Sequence, residues 1–114
     1  MEAESTRQLK VGRQLQRDLA QIFQRQGMSA YKGAMITVTG VRMSPDLAVA
    51  KVWVSIFPSK QAPEVLAALE SQSRAIRGAL GQRVAKQLRI TPELSFHLDD
   101  SLDYIEHIDE LLQR

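Results

Sequence analysis

Hydrophobic residues recur at helical spacing along the first part of the chain. Between residues 5 and 26 they follow one another at intervals of four, four and three, as Val11, Leu15, Leu19 and Ile22, with Phe23 beside them. This stripe predicts an amphipathic helix, and Gly27 is suited to end it. The opposite surface is polar and carries Lys10, Arg13 and Arg17 on one line.

Two strands are predicted next by alternation with a period of two. In residues 34–43, Ile36 and Val38 point to one side, and the apolar phase then shifts to Val41 and Met43. Gly40 stands at the shift, which is typical of a β-bulge. The tetrad Ser-Pro-Asp-Leu at 44–47 predicts a turn into the second strand.

The second strand, at residues 47–57, has two unlike faces. One is apolar throughout, with Ala50, Val52, Val54 and Ile56, and the other is mixed, with Val49, Lys51, Trp53 and Ser55. A sheet with one covered side and one open side is therefore expected.

A second helical region spans residues 62–87 and contains two glycines. Each of them, Gly78 and Gly81, costs about 1 kcal/mol relative to alanine inside a helix, so the pair is predicted to mark a kink or a break between two helices. Pro92 ends this region, and Leu94, Phe96 and Leu98 alternate as a third strand. A short acidic helix is predicted for residues 99–114, with an apolar stripe of Leu102, Ile105, Ile108, Leu111 and Leu112.

These elements predict an α+β fold with the order α-β-β-α-kink-α-β and a short C-terminal helix. The first two strands form a hairpin, and the broken helix crosses over to a third strand parallel to the second. All helices cover one face of the three-stranded sheet. We expect one domain over residues 1–114, and a monomer, because no large second apolar surface remains.

Charge is distributed unevenly along the chain. Residues 1–92 hold 14 Lys/Arg and 6 Asp/Glu, a net of +8, whereas residues 93–114 hold one Arg and seven acids, a net of −6. This asymmetry favours a basic binding surface beside an acidic C-terminal segment. The absence of cysteine excludes disulfides and thiolate chemistry and is compatible with the cytoplasm. No metal or cofactor is expected.

Three groups of cations are candidates for RNA contacts, since each neutralised phosphate adds affinity. The first is the helix line of Lys10, Arg13 and Arg17. The second comprises five cations in sixteen residues with no acid among them: Arg74, Arg77, Arg83, Lys86 and Arg89. The third is Arg42 and Lys51 on the open sheet face, beside Trp53, for which packing is favoured over base stacking. We expect the second group to contribute more affinity than the first.

Four stretches in order resemble the ribosome-binding factor A family over about residues 6–112. They are residues 13–20 (RQLQRDLA), 44–47 with 50–55 (SPDL, AKVWVS), 88–94 (LRITPEL), and 100–104 with 108–112 (DSLDY, IDELL). The resemblance implies a type II K-homology fold in which an Ala-x-Gly kink replaces the usual Gly-x-x-Gly loop. Ala79-Leu80-Gly81 matches the kink, although Gly78-Ala79-Leu80-Gly81 also spells the loop. The apolar Ala79 and Leu80 favour the kink.

What the resemblance implies about function is a non-enzymatic factor for maturation of the small ribosomal subunit. Its expected partners are 16S ribosomal RNA, the immature 30S subunit and ribosome-assembly GTPases, and its expected roles include RNA processing and growth in the cold. No nucleophile elbow, phosphate-binding loop or HExxH motif favours catalysis. The alternative is a protein-interaction module whose acidic C-terminal helix docks a basic partner without RNA.

Overall fold

The computed structural model describes residues 4–26, 31 and 33–99. In chain order these form helix α1 (Thr6–Gln26), strands β1 (Met35–Met43) and β2 (Val49–Phe57), a 3-10 turn (Ser59–Gln61), helices α2 (Ala62–Ser71) and α3 (Ser73–Val84), and strand β3 (Glu93–Leu98). The predicted α+β order is confirmed. The predicted end of the first helix at Gly27, and the C-terminal helix beyond residue 99, lie outside the described residues.

Helix α1 begins with a reciprocal cap. The backbone N–H of Ser5 donates to Gln8 Oε1 at 2.7 Å, and the backbone N–H of Gln8 donates to Ser5 Oγ at 3.1 Å. This capping box satisfies two N–H groups that a helix start leaves unpaired. Gln8 Nε2 also donates to the carbonyl of Met43 at 2.9 Å, which fixes the start of α1 against the end of β1.

The sheet has the order β1-β2-β3, with β1 antiparallel and β3 parallel to β2. Both pairings are as predicted. The β1–β2 register shifts between Val38 and Gly40, so the predicted bulge is confirmed and Thr39 is the extra residue. The crossover through α2 and α3 explains why β3 can lie parallel beside the central strand.

The turn between β1 and β2 is stabilised by side-chain hydrogen bonds. The Asp46 carboxylate accepts from Ser44 Oγ at 2.7 Å and from the backbone N–H of Ala48 at 3.1 Å. These donors, the Ser44 hydroxyl first, hold the pKa of Asp46 below its ordinary value. Leu47 follows with φ at 60°, in the left-handed region that a tight turn requires.

The core lies between the helices and one face of the sheet. Strand β2 places its predicted apolar face there, with Ala50, Val52, Val54 and Ile56 all buried. Lys51 and Trp53 on the other face are exposed, as expected of an open side. Ser55 differs from that expectation, because it lies on the open face and is nevertheless 3% exposed.

The predicted kink at Ala79-Leu80-Gly81 is wrong. The two helices separate at Gln72, and α3 continues through all three of these residues. At the break, the hydroxyl of Ser71 donates to the carbonyl of Ala68 at 2.9 Å. It therefore competes with backbone N–H groups for a carbonyl in the last turn of α2. Ala79 is exposed, so it does not lie at a helix crossing.

Packing explains why α3 tolerates its glycines. Ile76, Leu80 and Val84 are buried along one side, and their burial outweighs the propensity cost of about 1 kcal/mol per glycine. A Cβ on Gly81 would lie 2.8 Å from Thr91 Oγ1, whereas a Cβ on Gly78 would meet nothing within 4 Å. Gly81 therefore permits a close approach of the loop before β3, which is a different role from bending the helix.

Candidate nucleic-acid interface

A groove runs between helix α1 and the edge strand β1. All three cations of the predicted helix line contribute to it: Lys10, Arg13 and Arg17. Each of these side chains is exposed. Spacings of three and four residues place them one above another on the helix, so their charges line one side of the groove. Among the described residues that line this groove, none is acidic.

Two glutamines complete the groove and were not identified from the sequence. Gln16 Nε2 donates to the carbonyl of Val38 at 3.2 Å and so connects α1 to β1. Gln14 Oε1 accepts from Arg17 Nη2 at 2.9 Å, which orients the guanidinium. The signal available in the sequence was their position among the cations, since a groove that binds phosphate and sugar also uses amide side chains.

Arg77 has a structural role that its sequence context does not reveal. Its Nε donates to the carbonyls of Thr91 and Pro92, each at 3.1 Å, and its Nη2 donates to the Thr91 carbonyl at 2.6 Å. These bonds hold the loop that leads into β3. Because its donors are engaged within the chain, Arg77 is a weaker candidate for RNA contact than the sequence predicted.

Arg83 is also engaged within the protein. Its Nη1 lies 3.5 Å from Asp18 Oδ1 and donates to Gln21 Oε1, so it connects α3 to α1. Asp18 is buried and also accepts from Gln14 Nε2 at 3.0 Å. The sequence showed no acid between Arg74 and Arg89, yet the fold brings one from 65 residues away. This acid weakens the argument that the second group of cations contributes more RNA affinity than the helix line.

The remaining members of the second group are exposed. Arg74, Lys86 and Arg89 reach solvent, although Arg74 shares a surface depression with Glu93. Beside Arg89, Ile90 is 74% exposed on the loop that Arg77 fixes. These three cations are therefore available to a nucleic acid.

The open sheet face brings the third group together, but one of its cations is paired. Arg42 Nε lies 2.8 Å from Glu4 Oε1, and Lys51 is its partner in the strand register. Trp53 is 39% exposed, and its ring centroid lies 4.9 Å from that of His97, with an angle of 34° between the planes. Packing of Trp53 against a neighbour agrees with the interpretation favoured from the sequence.

None of the helices among residues 4–26 and 33–99 combines the length and the hydrophobicity of a transmembrane span.

Several known proteins resemble this chain in sequence and in fold. A family model described as Ribosome-binding factor A matches residues 7–112. A ribosome-binding factor A from Cytophaga hutchinsonii is 40% identical over 111 residues, which cover 97% of this chain and 84% of that protein. The crystal structure of ribosome-binding factor A from Thermus thermophilus superposes with a TM-score of 0.68 at 31% identity, covering 80% of this chain and 94% of that one.

A second structural neighbour was fitted into the map of a complex. It is a homology model of the Thermus thermophilus factor fitted into a cryo-EM map of its complex with the 30S subunit. It has a TM-score of 0.62 and 32% identity, over 77% of this chain and 90% of that chain.

Proposed function

Because the chain belongs to the ribosome-binding factor A family, we propose that it binds the small ribosomal subunit through 16S ribosomal RNA and assists maturation of that subunit. Support comes from the Thermus thermophilus relative fitted into a map of a 30S complex, since the two chains are 32% identical and share a fold. The proposal extends to RNA processing, growth in the cold and cooperation with ribosome-assembly GTPases. It includes no catalytic step.

The observation that carries this proposal is the cation-lined groove beside α1. Lys10, Arg13 and Arg17 are exposed and line one groove whose described lining holds no acid. By neutralising RNA phosphates, these cations would release counterions condensed on the RNA, and three neutralised phosphates would contribute about 2–3 units to the slope of log affinity against log salt. Gln16 adds an amide for sugar or phosphate oxygens.

The experiment compares two triple variants of equal charge. One is Lys10→Gln/Arg13→Gln/Arg17→Gln, and the other is Arg74→Gln/Lys86→Gln/Arg89→Gln. All six side chains are exposed, so both variants should fold like the parent protein. Binding to 16S RNA and to immature and mature 30S subunits is measured by filter binding and cosedimentation at several salt concentrations.

We expect the helix-line variant to lose the greater part of the affinity and to flatten the salt slope by about one unit for each phosphate that is no longer neutralised. The second variant, which has the same net charge, should change both quantities less. Parent-like binding by the helix-line variant would contradict the assignment of the groove. Loss of affinity mainly in the second variant would instead support the prediction from the sequence that the second group contributes more affinity than the first.

The alternative is a module that docks a basic protein through the acidic helix predicted for residues 99–114, without RNA. Most of that segment lies outside the described residues. The same titration separates the two classes, because binding to naked 16S RNA with a steep salt dependence is expected only of the RNA-binding factor.

A further inference from the structure

Helix α1 covers the outer edge of strand β1 along most of its length. Among the described strands β1 is the first in the sheet order, so this edge faces away from β2. Gln8 Nε2 donates to the Met43 carbonyl at 2.9 Å, and Gln16 Nε2 donates to the Val38 carbonyl at 3.2 Å. Between them, a Cβ on Gly12 would lie 2.8 Å from another carbonyl oxygen of β1. One row of α1, spaced by four residues, therefore lies along the strand edge.

The pairing of the strands shows which backbone groups face this edge. The backbone N–H of Asp99 donates to the Val54 carbonyl at 2.7 Å, so that carbonyl points towards β3 and away from β1. Val38 is the partner of Val54 in the register and therefore directs its own N–H and C=O outward, where Gln16 binds the carbonyl. Ile36 lies two residues earlier in an uninterrupted register, so its N–H and C=O also face outward.

The cover that α1 provides ends opposite Ile36. The residue that follows Gln16 in the row is Ala20, which is exposed and has no side-chain donor to offer the Ile36 carbonyl. A pocket with a volume of about 240 Å³ lies here, between α1 and the start of β1. We call it the edge pocket, and its lining includes Ala20, Phe23, Tyr31, Ala34 and Ile36.

The walls of the edge pocket are apolar and held in place. Phe23, Tyr31 and Ala34 are buried, and the rings of Phe23 and Tyr31 meet edge to face with centroids 6.1 Å apart. Tyr31 Oη lies 2.8 Å from Gln26 Oε1 and 3.2 Å from Gln72 Oε1, which fixes the ring. The volume is below the roughly 300–1,000 Å³ of pockets that take a whole drug-sized ligand. The edge pocket is therefore preformed and suited to a single planar group.

The edge pocket continues the groove of Lys10, Arg13 and Arg17. Ala20 lines both, and Arg17 precedes it by three residues, so the two lie about one turn apart on the same side of α1. On the basis of the proposed function, we propose that the edge pocket binds one unpaired base of the RNA whose phosphates follow these cations. The outward N–H and C=O of Ile36 pair with an edge of that base, and its ring packs against the apolar walls.

Charge and the short length of the open edge favour a base over a peptide strand. The described lining of the edge pocket contains no acid and adjoins three exposed cations. A peptide that adds a strand needs a row of free backbone groups, but α1 covers β1 from Val38 to Met43. The same cover obstructs pairing with the β1 edge of a second copy. A base needs only a donor and an acceptor side by side, and each nucleobase has these on its Watson–Crick edge.

The first test fills the edge pocket. Ala20→Leu introduces a branched side chain there and keeps a good helix former at an exposed helical position. The matched control is Ala67→Leu, which changes an exposed alanine inside α2. Two probes are titrated against the parent and both variants: a short single-stranded RNA of mixed sequence, and the same RNA annealed to its complement.

We expect Ala20→Leu to lose roughly fivefold to a hundredfold in affinity for the single strand, which corresponds to one base contact. Its affinity for the duplex should stay at the parent value, because the bases of a duplex are already paired. Ala67→Leu should match the parent with both probes. Parent-like binding of the single strand by Ala20→Leu would overturn the proposal. Equal losses with both probes would also overturn it, since the leucine would then only obstruct the cations.

A second measurement uses the unsubstituted protein and does not depend on how the variant folds. NMR-detected amide hydrogen exchange follows the N–H of Ile36, which faces outward, and that of Thr37, which faces β2. Binding of the single-stranded RNA should slow exchange at Ile36 several-fold and at Thr37 much less.

The failure of this proposal is distinguishable from failure of the proposed function. Unchanged exchange at Ile36 in the RNA complex would refute base binding in the edge pocket alone. The groove assignment fails only if Lys10→Gln/Arg13→Gln/Arg17→Gln binds 16S RNA like the parent. Exchange at Ile36 that slows with rising protein concentration, in the absence of RNA, would show that a second copy occupies the edge and would also refute the proposal.

Discussion

Gly81 and Gly78 provide a matched pair of positions for testing the interpretation of helix α3. Both lie inside the helix, three residues apart. A methyl group at Gly81 would lie 2.8 Å from Thr91 Oγ1, but at Gly78 it would meet nothing within 4 Å. The same substitution therefore has opposite expected effects at the two positions.

The magnitudes follow from helix propensity and packing. Gly78→Ala should gain about 1 kcal/mol in the free energy of unfolding, which for a domain of this size raises the thermal midpoint by roughly 4 °C. Gly81→Ala gains the same propensity term but must displace the Thr91 side chain. Overpacking of this kind costs about 1–3 kcal/mol, so the net change should be a loss of about 0–2 kcal/mol.

Urea denaturation and thermal unfolding of both single variants provide the measurement. Thr91→Ala serves as a second background, because it removes the hydroxyl that the new methyl would contact. In that background Gly81→Ala should be stabilising, as Gly78→Ala is in the parent. If Gly81→Ala raises the midpoint of the parent as much as Gly78→Ala does, the close approach of the loop does not exist and the glycine has another role.

Three further predictions concern α1 and the first turn. Gly12→Ala should destabilise the fold by about 0–2 kcal/mol, measured by urea denaturation, because its Cβ would lie 2.8 Å from the carbonyl oxygen of Val41 and the overpacking cost of about 1–3 kcal/mol exceeds the helix-propensity gain of about 1 kcal/mol. Asp18→Asn should cost about 1–2 kcal/mol in the same assay, because it removes the charged partner of Arg83; an unchanged midpoint would show that this ion pair contributes nothing. The stability that ionised Asp46 provides should be present above the ordinary carboxyl pKa and lost as pH falls through its lowered pKa. Replacing Ser44 with Ala should raise the Asp46 pKa towards its ordinary value in an NMR titration, and an unchanged pKa would contradict the assigned cause.

The groove beside α1 was predictable only in part. The line of Lys10, Arg13 and Arg17 follows from helical spacing, and the structure places all three at one groove. The contribution of β1 to that groove, through the Val38 carbonyl that binds Gln16 at 3.2 Å, was not predictable. It depends on two segments that are 22 residues apart.

For residues 4–26 and 33–99, local periodicity was sufficient to predict the type and order of the helices and strands and the buried face of the sheet. Apolar residues recur with a period of 3.6 in a helix and of 2 in a strand, and both periods are visible within short stretches of sequence. They were therefore sufficient to predict α1, the bulge at Gly40 and the buried face of β2. Three features depend on packing between elements and were not predictable from short windows. They are the position of the break in the second helical region, the close approach of the loop at Gly81, and the pairing of individual cations within the chain. Arg77 binds carbonyls 14 and 15 residues away, and Arg83 pairs with Asp18 across 65 residues. Such partners depend on how the elements pack, because hydrogen bonds and ion pairs form between groups that are close in space, whatever their separation along the chain.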